Sequence, residues 1–390
     1  MISVTEALAN VLSLAEPVGS QTVALREAAG RVLARDVCAR RDQPPFPASS
    51  MDGYAITQAD YRKGQRLRVI GEAAAGAGFG SAVSSGEAVR IFTGAPVPPG
   101  ADRVLIQEDA DRDGASIIIR ETSETSSYIR PAGADFTAGQ VFQAPRLISA
   151  QDVALLASMN LAQVPVRRKP QVAVISTGTE LVMPGETPGP DQIIASNTFG
   201  LAALLEASGA QVRILPIAED SMPALTRTFE LARGADLIVT IGGASVGDHD
   251  LVAQAATDLG LERAFYKIAM RPGKPLMAGR IEGAAMVGLP GNPVSAMVCA
   301  HIFLKPMIRA MLGLPAGDDP LPEAPLSAAL AANGPRAHYM RARLADGALT
   351  VFDRQDSALL TVLAEANVLV VREPNAPACH AGDRLPYVLL

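Results

Sequence analysis

Between residues 169 and 313, short apolar segments alternate with longer segments of helical spacing, and this alternation constrains the fold more than any other feature of the sequence. The apolar segments have few polar positions, which is typical of strands that are covered on both faces. We predict strands at residues 172–175, 212–215, 237–241 and 285–287. We predict helices at residues 197–208, 223–232, 251–259 and 294–311. Strands and helices that alternate through short connections indicate a doubly wound parallel sheet.

The rest of the chain predicts three further parts, so the whole protein is expected to be a multidomain α/β plus β structure. Residues 1–44 and 130–168 are expected to form one helical domain, with helices after the capping residues Ser3 and Ser149 and at residues 25–33. Residues 45–129 contain short β-branched segments between turn residues, which predicts a small β-rich domain. A Pro-rich linker ends the α/β domain at 169–313, and residues 314–390 are predicted to form a C-terminal β-barrel.

Composition and charge exclude several classes of function. The net charge is −6 and the longest basic run is Arg167-Arg168-Lys169, so nucleic acid is not expected as a partner. The three cysteines lie far apart, which argues against a disulfide framework and a structural zinc site. No apolar run approaches the ~20 residues of a membrane span, and the first residues resemble a capped helix rather than a signal peptide. We therefore expect a soluble, cytoplasmic protein without membrane association.

Gly, hydroxyl and carboxylate residues follow three of the predicted strands at the point where each strand ends. The carboxyl ends of parallel strands meet at one edge of a sheet, where loop amides and helix N-termini converge. The candidate ligand-binding residues in these loops are Gly242, Gly243, Ser245, Gly247, Asp248, Gly291, Asn292 and Ser295. A Gly-rich turn can serve tight packing alone, and this alternative stays open for each single loop. Three such loops at one edge favour a site for an anionic ligand.

The segment Arg271-Pro272-Gly273-Lys274-Pro275 is the strongest cationic cluster of the sequence. Its two prolines stiffen the loop and hold two positive side chains close together, which costs Coulomb energy unless an anion lies between them. We interpret the loop as an oxyanion site. The residues of the tail that could add to this site are Arg336, Arg341, Arg343 and Ser357, although solvated arginines remain the alternative there.

Carboxylates at the same edge need a separate explanation, because Glu180, Asp248 and Asp250 would repel a phosphate. A divalent cation resolves the conflict, since Mg²⁺ prefers one or two carboxylates together with phosphate oxygens. The metal would polarise a phosphoanhydride for cleavage. A solvated surface acid remains the alternative for Asp248.

Six motifs taken together resemble the molybdopterin molybdenumtransferases, the family of MoeA and the gephyrin E domain. The motifs lie at residues 47–55, 92–98, 130–135, 242–250, 270–275 and 288–295, so that the resemblance covers nearly the whole chain. It implies a molybdopterin-binding type of parallel-sheet domain. It also implies an elongated homodimer, with residues 1–44 and 130–168 as the dimerisation domain.

The activity that the resemblance implies is molybdenum insertion. Adenylylated molybdopterin and molybdate would be the substrates, AMP would be released with the help of Mg²⁺, and Mo-molybdopterin would be the product. A molybdopterin adenylyltransferase and molybdoenzyme acceptors are the further partners that the family suggests.

Site residues follow from the same resemblance, position by position. The implied metal ligands are Asp250, Glu180, Glu219 and Asp220. The implied molybdate and pterin ligands outside the Gly-rich loops are Arg271, Lys274, Pro275, Ser295, Arg341 and Ser357. The implied catalytic residues are Asp250 and Glu180, together with Asp52, Thr93 and Asp135 contributed by the other subunit. The sequence departs from the family pattern at Thr179, Glu219, Ala195 and Arg271, where an acid, Asp, Asp and Lys are common.

Two other functions remain open from the sequence. A molybdopterin adenylyltransferase uses a related single α/β domain, but that reaction needs neither the N-terminal parts nor the tail. A cofactor-storage or scaffold protein would bind the pterin without turnover, but the chain lacks a linker or extra domain suited to scaffolding.

Overall fold

The computed structural model describes residues 1–122, 125–242, 251–317 and 320–390, and it divides into two compact units. Unit 1 consists of Met1–Gln21, Gly30–Ala34 and Val166–Leu390, and unit 2 of Thr22–Ala29 and Arg35–Pro165. The α-helices of the described residues are α1 Val4–Ser13, α2 Ala150–Ser158, α3 Asn197–Ala207, α4 Met222–Leu231, α5 Leu251–Asp258, α6 Pro293–Cys299, α7 Lys305–Met311 and α8 Leu360–Glu365. The division into four domains stays a prediction.

Both predicted N-caps are confirmed. The Ser3 hydroxyl accepts a hydrogen bond from the Glu6 amide at 3.1 Å and starts α1. Ser149 and Asp152 form a reciprocal capping box at the start of α2, with distances of 3.1 Å and 2.9 Å. The predicted helix at residues 25–33 was wrong. A 3₁₀ turn, Leu25–Glu27, and a strand, Val32–Leu33, occupy this segment, because sheet pairing outweighs a weak local helix propensity.

A six-stranded sheet forms the centre of unit 1. In order across the sheet, its strands are Gln211–Ile214, Gln171–Ser176, Leu237–Ile241, Ala284–Leu289, Met277–Ile281 and Glu262–Tyr266. The first four strands are parallel, which confirms the predicted sheet. The last two are antiparallel and extend the sheet beyond the prediction.

Alternate residues of the central strands enter two separate hydrophobic cores. Val172 and Val174 pack on one face, and Ala173 and Ile175 pack on the other, all with 0% exposure. This two-sided burial explains why the strands read as uninterrupted apolar runs. The helices that follow the strands cover both faces, so the polar loops are left at the strand ends.

The last helix of this domain is continuous but not uniform. A π-helical turn, Ala300–Leu304, lies between α6 and α7. Pro306 explains this turn, because a proline inside a helix lacks the donor for residue i−4 and its ring clashes with that carbonyl. By length and composition, Pro293–Met311 is the one helix among the described residues that could cross a membrane. However, 67% of it is buried, as in the core helix of a soluble protein.

The tail forms the predicted β-barrel. Its strands are Glu323–Pro325, Ala337–Ala345, Ala348–Val351, Val368–Arg372 and Arg384–Leu389. Leu326 bridges to Leu349, and the Ser327 amide donates to the Leu349 carbonyl at 2.9 Å, which closes the barrel. A short strand before the tail, Met270–Arg271, pairs in parallel with Ala337–Ala345. The loop at residues 271–275 is therefore attached directly to the barrel.

Unit 2 contains the predicted β-rich part. Its six strands in sheet order are Arg103–Ile106, Gly53–Ile56, Glu87–Ile91, Arg66–Ala73, Ser116–Ile119 and Ala110–Asp113. Two aliphatic clusters lie on the two faces of this sheet. The remaining short strands of the chain are Ser20–Ala24, Val37–Cys38, Ala48–Ser49, Ile129–Arg130, Val141–Phe142, Arg146–Leu147, Gln163–Arg167, Leu181–Val182 and Ile193–Ile194.

Candidate functional site

A cleft of about 910 Å³ opens at the carboxyl ends of the parallel strands in unit 1. It is lined by residues that follow the strands, by the start of helix α6 and by Ala358 of the tail. Among the predicted site residues, those that line it are Glu180, Asp220, Gly242, Pro275, Gly291 and Asn292. The predicted edge of the sheet is therefore where the largest of the described cavities lies.

The floor of the cleft is a set of tightly packed backbone turns. The Thr177 amide donates to the Ile241 carbonyl at 3.0 Å. This bond joins the end of strand Gln171–Ser176 to the end of its neighbour Leu237–Ile241. Gly242 has φ +86°, and a Cβ at this position would lie 2.7 Å from the Thr177 carbonyl oxygen. Only glycine fits there, so this position serves packing as well as ligand access.

Two of the predicted acids face the cleft. Glu180 and Asp220 both line it, and the Asp220 carboxylate accepts the Thr179 amide at 3.4 Å. Glu219 precedes Asp220 but is not among the lining residues. Within the described ranges, no three His, Cys, Asp or Glu side chains form a metal-binding group. Glu180 and Asp220 are therefore the two predicted metal ligands that the structure brings to the cleft.

The start of α6 is held by the tail. Asn292 occupies the N-cap position, but its side chain does not cap the helix and instead donates to the Ser357 hydroxyl at 3.1 Å. The Ser357 carbonyl accepts the Val294 amide at 3.0 Å. Ser295 is 4% exposed in the first turn of the helix. These bonds bring two separately predicted site residues, Asn292 and Ser357, together at the edge of the cleft.

Arg341 lies on the other side of the same tail segment. Its Nη2 donates to the Asp356 carbonyl at 3.0 Å, while its Nε and Nη1 are buried without a hydrogen-bond partner. The side chain is 0% exposed. Burial lowers the pKa of Arg341 from its ordinary value; the charge of Asp356 opposes this shift, and the charge of Arg271 adds to it. A buried guanidinium with two unpartnered donors is an arrangement that favours an anionic ligand.

The loop at residues 271–275 packs against helix α6. Gly273 has φ +113°, and a Cβ at this position would lie 2.5 Å from the Cys299 Sγ. Burial raises the pKa of the Cys299 thiol, so this cysteine serves as an inert packing group under the loop. Arg271 itself is exposed, and Lys274 is partly buried. The Lys274 carbonyl accepts the Ile268 amide at 3.0 Å.

A cationic row that the sequence did not reveal crosses three strands. His338 is paired in register with Arg271 on one neighbouring strand and with Arg372 on the other. His338 is 7% exposed and Arg372 is 2% exposed. Burial lowers the pKa of His338 to about 4, and the charges of Arg271, Arg341, Arg336 and Arg372 add to this shift. The sequence signal was hidden because the pairing joins residues that are far apart in the chain.

In unit 2, two predicted catalytic residues are in contact. The Asp52 carboxylate accepts hydrogen bonds from the Thr93 amide and the Thr93 hydroxyl, both at 2.7 Å. These two bonds hold the pKa of Asp52 below its ordinary value, so the carboxylate is fixed as an anion. Asp135 lies elsewhere in unit 2, where it lines an open cavity of about 650 Å³ together with Arg41 and Arg130.

Several predicted residues cannot be compared with the structure. Gly243, Ser245, Gly247, Asp248 and Asp250 lie outside the described residues. Arg336 and Arg343 belong to the tail, where Arg343 is exposed and donates to the Glu365 carbonyl at 3.2 Å. Ala195, where the family pattern has Asp, is buried and lines the cleft without contributing a charge.

Comparison with known proteins agrees with this arrangement. Residues 2–160 match the MoeA N-terminal region (domain I and II), residues 173–310 a probable molybdopterin binding domain, and residues 323–390 the MoeA C-terminal region (domain IV). The chain is 36% identical over 380 residues to molybdopterin molybdenumtransferase 2 of Mycobacterium tuberculosis, covering 93% of each chain. It is 36% identical over 318 residues to the molybdopterin molybdenumtransferase of Haemophilus influenzae, covering 80% of this chain and 78% of the relative.

A solved structure resembles the whole chain. The molybdopterin biosynthesis protein MoeA from Pyrococcus horikoshii superposes with a TM-score of 0.86 at 29% identity, covering 100% of this chain and 99% of that one. Along the chain, the three matched regions correspond to the N-terminal parts, the α/β domain with the cleft, and the tail. The chain therefore belongs to the MoeA family of molybdopterin molybdenumtransferases.

Proposed function

We propose that this chain transfers molybdenum from molybdate to adenylylated molybdopterin and releases AMP, as a step of molybdenum cofactor biosynthesis. Relatives from Mycobacterium tuberculosis and Haemophilus influenzae carry the name molybdopterin molybdenumtransferase. The observation that supports molybdate binding most directly is Arg341, with two buried donors that lack a partner. A tetrahedral oxyanion offers charged acceptors for such donors.

The cleft beside Arg341 is the proposed position of the pterin and its phosphates. It is lined by Ser196, Asn197, Asn292, Gly242 and Gly291. Side-chain amides and glycine backbone can bind a polar heterocycle and phosphate oxygens without adding negative charge. The segment Asp356–Ala358 lies between this cleft and Arg341, so both substrates would be held within one neighbourhood.

Mg²⁺ is proposed to bind at Glu180 and Asp220, with Asp250 as the further ligand that the family resemblance implies. Because the described acids supply only two carboxylates at the cleft, the substrate's phosphate oxygens are needed to complete the site. The metal, when bound, would reduce the negative charge that develops on the phosphoanhydride. The protein's own contribution is to hold the two substrates beside the carboxylates.

The proposed reaction has two parts, cleavage of the phosphoanhydride and formation of two Mo–S bonds. Water attacks the phosphorus of the pterin phosphate, the phosphoanhydride P–O bond breaks, and AMP leaves with the bridging oxygen. Two dithiolene sulfurs bond to molybdenum, and their two thiol protons leave with one molybdate oxygen as water. No oxidant or reductant is required, so the anion-binding residues and the carboxylates are sufficient chemical groups for the step.

Incubation of the purified chain with adenylylated molybdopterin, molybdate and Mg²⁺ tests the proposal. AMP should appear together with molybdenum bound to the pterin. If neither product forms, the proposed function is wrong. Formation of adenylylated pterin from ATP would instead support an adenylyltransferase, and tight pterin binding without turnover would support a storage protein.

Variants separate the two halves of the site. Glu180→Gln should reduce AMP release about 100-fold or more while molybdate binding remains. Lys274→Ala should raise the molybdate concentration that is needed by about tenfold or more, because a charge-assisted hydrogen bond is lost. Glu206→Gln on the exposed face of α3 is the matched control and should behave like the unchanged protein. Identical defects in Glu180→Gln and Lys274→Ala would contradict the separate roles.

A cytoplasmic homodimer is part of the same proposal, with Asp52, Thr93 and Asp135 acting on the second copy. Sedimentation should give twice the chain mass of 40.5 kDa. Mixing Asp52→Ala and Glu180→Gln subunits after reversible dissociation should restore part of the activity, since one of the two mixed sites is then intact. A monomeric chain with full activity would remove this part of the proposal.

A further inference from the structure

Three side chains form a row across the barrel edge that the proposed reaction does not use as a unit. His338 lies on the strand Ala337–Ala345, between Arg271 on one neighbour and Arg372 on the other. Residues directly opposite in register project from the same face of a sheet. The three side chains therefore share one face, and a protonated His338 would stand directly opposite an arginine on each side unless an anion neutralised them.

The row is separate from Arg341. Residues 338 and 341 differ by an odd number of positions on one strand, so their side chains project from opposite faces. The neighbours agree with this assignment. Tyr339 and Leu369 pack with the core of the α/β domain, whereas Ala342 and Val370 pack in the core of the barrel.

Two buried nitrogen atoms of the row have no hydrogen-bond partner. His338 Nε2 and Arg372 Nε are buried without a hydrogen-bond partner, although Arg372 also donates to the Pro377 carbonyl. Leaving a buried donor unpaired costs free energy, and leaving a buried charge unpaired costs more. Arg271 is exposed, so the row has one end open to solvent and two buried members behind it.

We propose that Arg271, His338 and Arg372 form a second oxyanion site, in which His338 binds the anion as a protonated imidazolium. The ligand class is a tetrahedral dianion, such as molybdate or hydrogen phosphate. The choice of molybdate as the first probe rests on the proposed function. The row itself rests on the strand register and the unpartnered donors.

Proton uptake is the expected signature. The groups that act on His338 are Arg271 on one strand, Arg372 on the other, and Arg336 and Arg341 along its own segment. Without an anion, burial together with these positive charges keeps the imidazole neutral near neutral pH. A bound dianion reverses the local field, so a proton enters with it. Because the bound state holds the extra proton, affinity should fall as pH rises, by up to about tenfold per pH unit.

Isothermal titration calorimetry of the full chain with molybdate tests this inference. Titrations at one pH in two buffers of different ionisation enthalpy should give different heats, equivalent to about one proton taken up per anion at the row. His338→Gln should remove the buffer dependence and weaken this binding event about tenfold or more. His380→Gln, an exposed histidine of the same barrel, is the matched control and should keep both properties.

Two further variants make the outcomes distinguishable. Arg372→Gln should weaken the same event, which guards against a folding defect that is particular to His338→Gln. Arg341→Met should leave the proton-coupled event in place while it impairs molybdenum insertion. If Arg341→Met abolishes the proton uptake, or if binding to the unchanged protein is independent of buffer, the second site does not exist and the proposed function is unaffected.

Inorganic phosphate distinguishes the source of the ligand. Competition between phosphate and molybdate at the proton-coupled event would favour the phosphate group of the pterin as an equal occupant. Binding of molybdate alone would restrict the row to the oxometallate. If the unchanged protein binds neither anion, both this inference and the anion-binding part of the proposed function are wrong, whereas proton-coupled phosphate binding without molybdate binding overturns only the latter.

Discussion

Among single residues, Arg341 shows how a binding site can be held ready at a cost in stability. A charged side chain that is 0% exposed has lost its hydration, and only its Nη2 has recovered hydrogen bonds, to two carbonyls. Its other nitrogens have not. Under the proposed function, an anion would supply acceptors for these nitrogens, so the residue would not need to move or reorganise when the anion binds.

Replacement of Arg341 tests this balance. Arg341→Met should reduce molybdenum insertion about tenfold to 100-fold at limiting molybdate, because charge-assisted donors are lost. The free energy of unfolding without anion should stay within about 1 kcal/mol of the unchanged protein, because the desolvated charge is lost as well. Urea unfolding and an insertion assay measure the two effects. Arg343→Met, at an exposed position on the same strand, is the control; a large loss of stability that is confined to Arg341→Met would refute the balance.

Gly273 is a second residue at which local geometry restricts the side chain. Gly273→Ala must place a Cβ 2.5 Å from the Cys299 Sγ and adopt a φ of +113°, so it should lower the free energy of unfolding by about 2–4 kcal/mol. Gly283→Ala is the matched control, since Gly283 also has a positive φ, +85°, but open space around it. Urea unfolding should therefore show the larger loss for Gly273→Ala. Equal losses would mean that Cys299 does not support the loop.

Among the secondary-structure elements, helix α2 shows how a short helix is specified by its first turn. Ser149 and Asp152 bond to each other's backbone, and Arg146 donates to Asp152 at 2.6 Å. Burial alone would raise the pKa of Asp152, but the bonds from Arg146 and Ser149 outweigh burial and hold it below its ordinary value. The ionised form of the carboxylate is therefore the stabilising form.

A pH dependence follows from that sign. Because the folded pKa of Asp152 is lowered, its contribution is present at neutral pH and is lost as pH falls through the folded pKa. Asp152→Asn should destabilise the protein by about 1–2 kcal/mol at neutral pH, and the difference from the unchanged protein should shrink below about pH 4. Urea unfolding across this range measures it, with the exposed Asp111→Asn as control. A difference that stays constant down to low pH would contradict the role of the charge.

Local signals in the sequence were sufficient for most of these elements. The caps of α1 and α2, the four parallel strands and the polar loops at their ends all depend on residues that are close together in the chain. The antiparallel strands Met277–Ile281 and Glu262–Tyr266 carry weaker periodicity and were missed. The same limit applies to the site. Glu180 and Gly242 could be predicted from strand ends, but the row of Arg271, His338 and Arg372 depends on long-range register, which one sequence does not encode locally.

Within unit 1, the α/β domain and the tail share both a sheet edge and a core. Met270–Arg271 pairs with Ala337–Ala345, and Ala337, Tyr339, Leu369 and Val371 of the barrel belong to the same hydrophobic cluster as the α/β sheet. The tail is therefore part of the structural support of the oxyanion loop.

Removal of the tail tests this dependence. A chain that ends at residue 322 should lose molybdate binding and become sensitive to proteases near Met270–Arg271, because that strand loses its partner and apolar surface is exposed. Limited proteolysis and calorimetry measure the two effects. Unit 2 should keep its protease resistance, since its two hydrophobic clusters are made of its own residues. A truncated chain that still binds molybdate with unchanged affinity would show that the tail is dispensable.

The shared strand also limits how this architecture can be recombined. A chimera that joins the α/β segment of one relative to the barrel of another would pair two strands that did not evolve together. The register between Met270–Arg271 and Ala337–Ala345 would then not be preserved. Such grafts should be productive only when the junction is moved upstream of Met270, so that the loop and the barrel are inherited as one block.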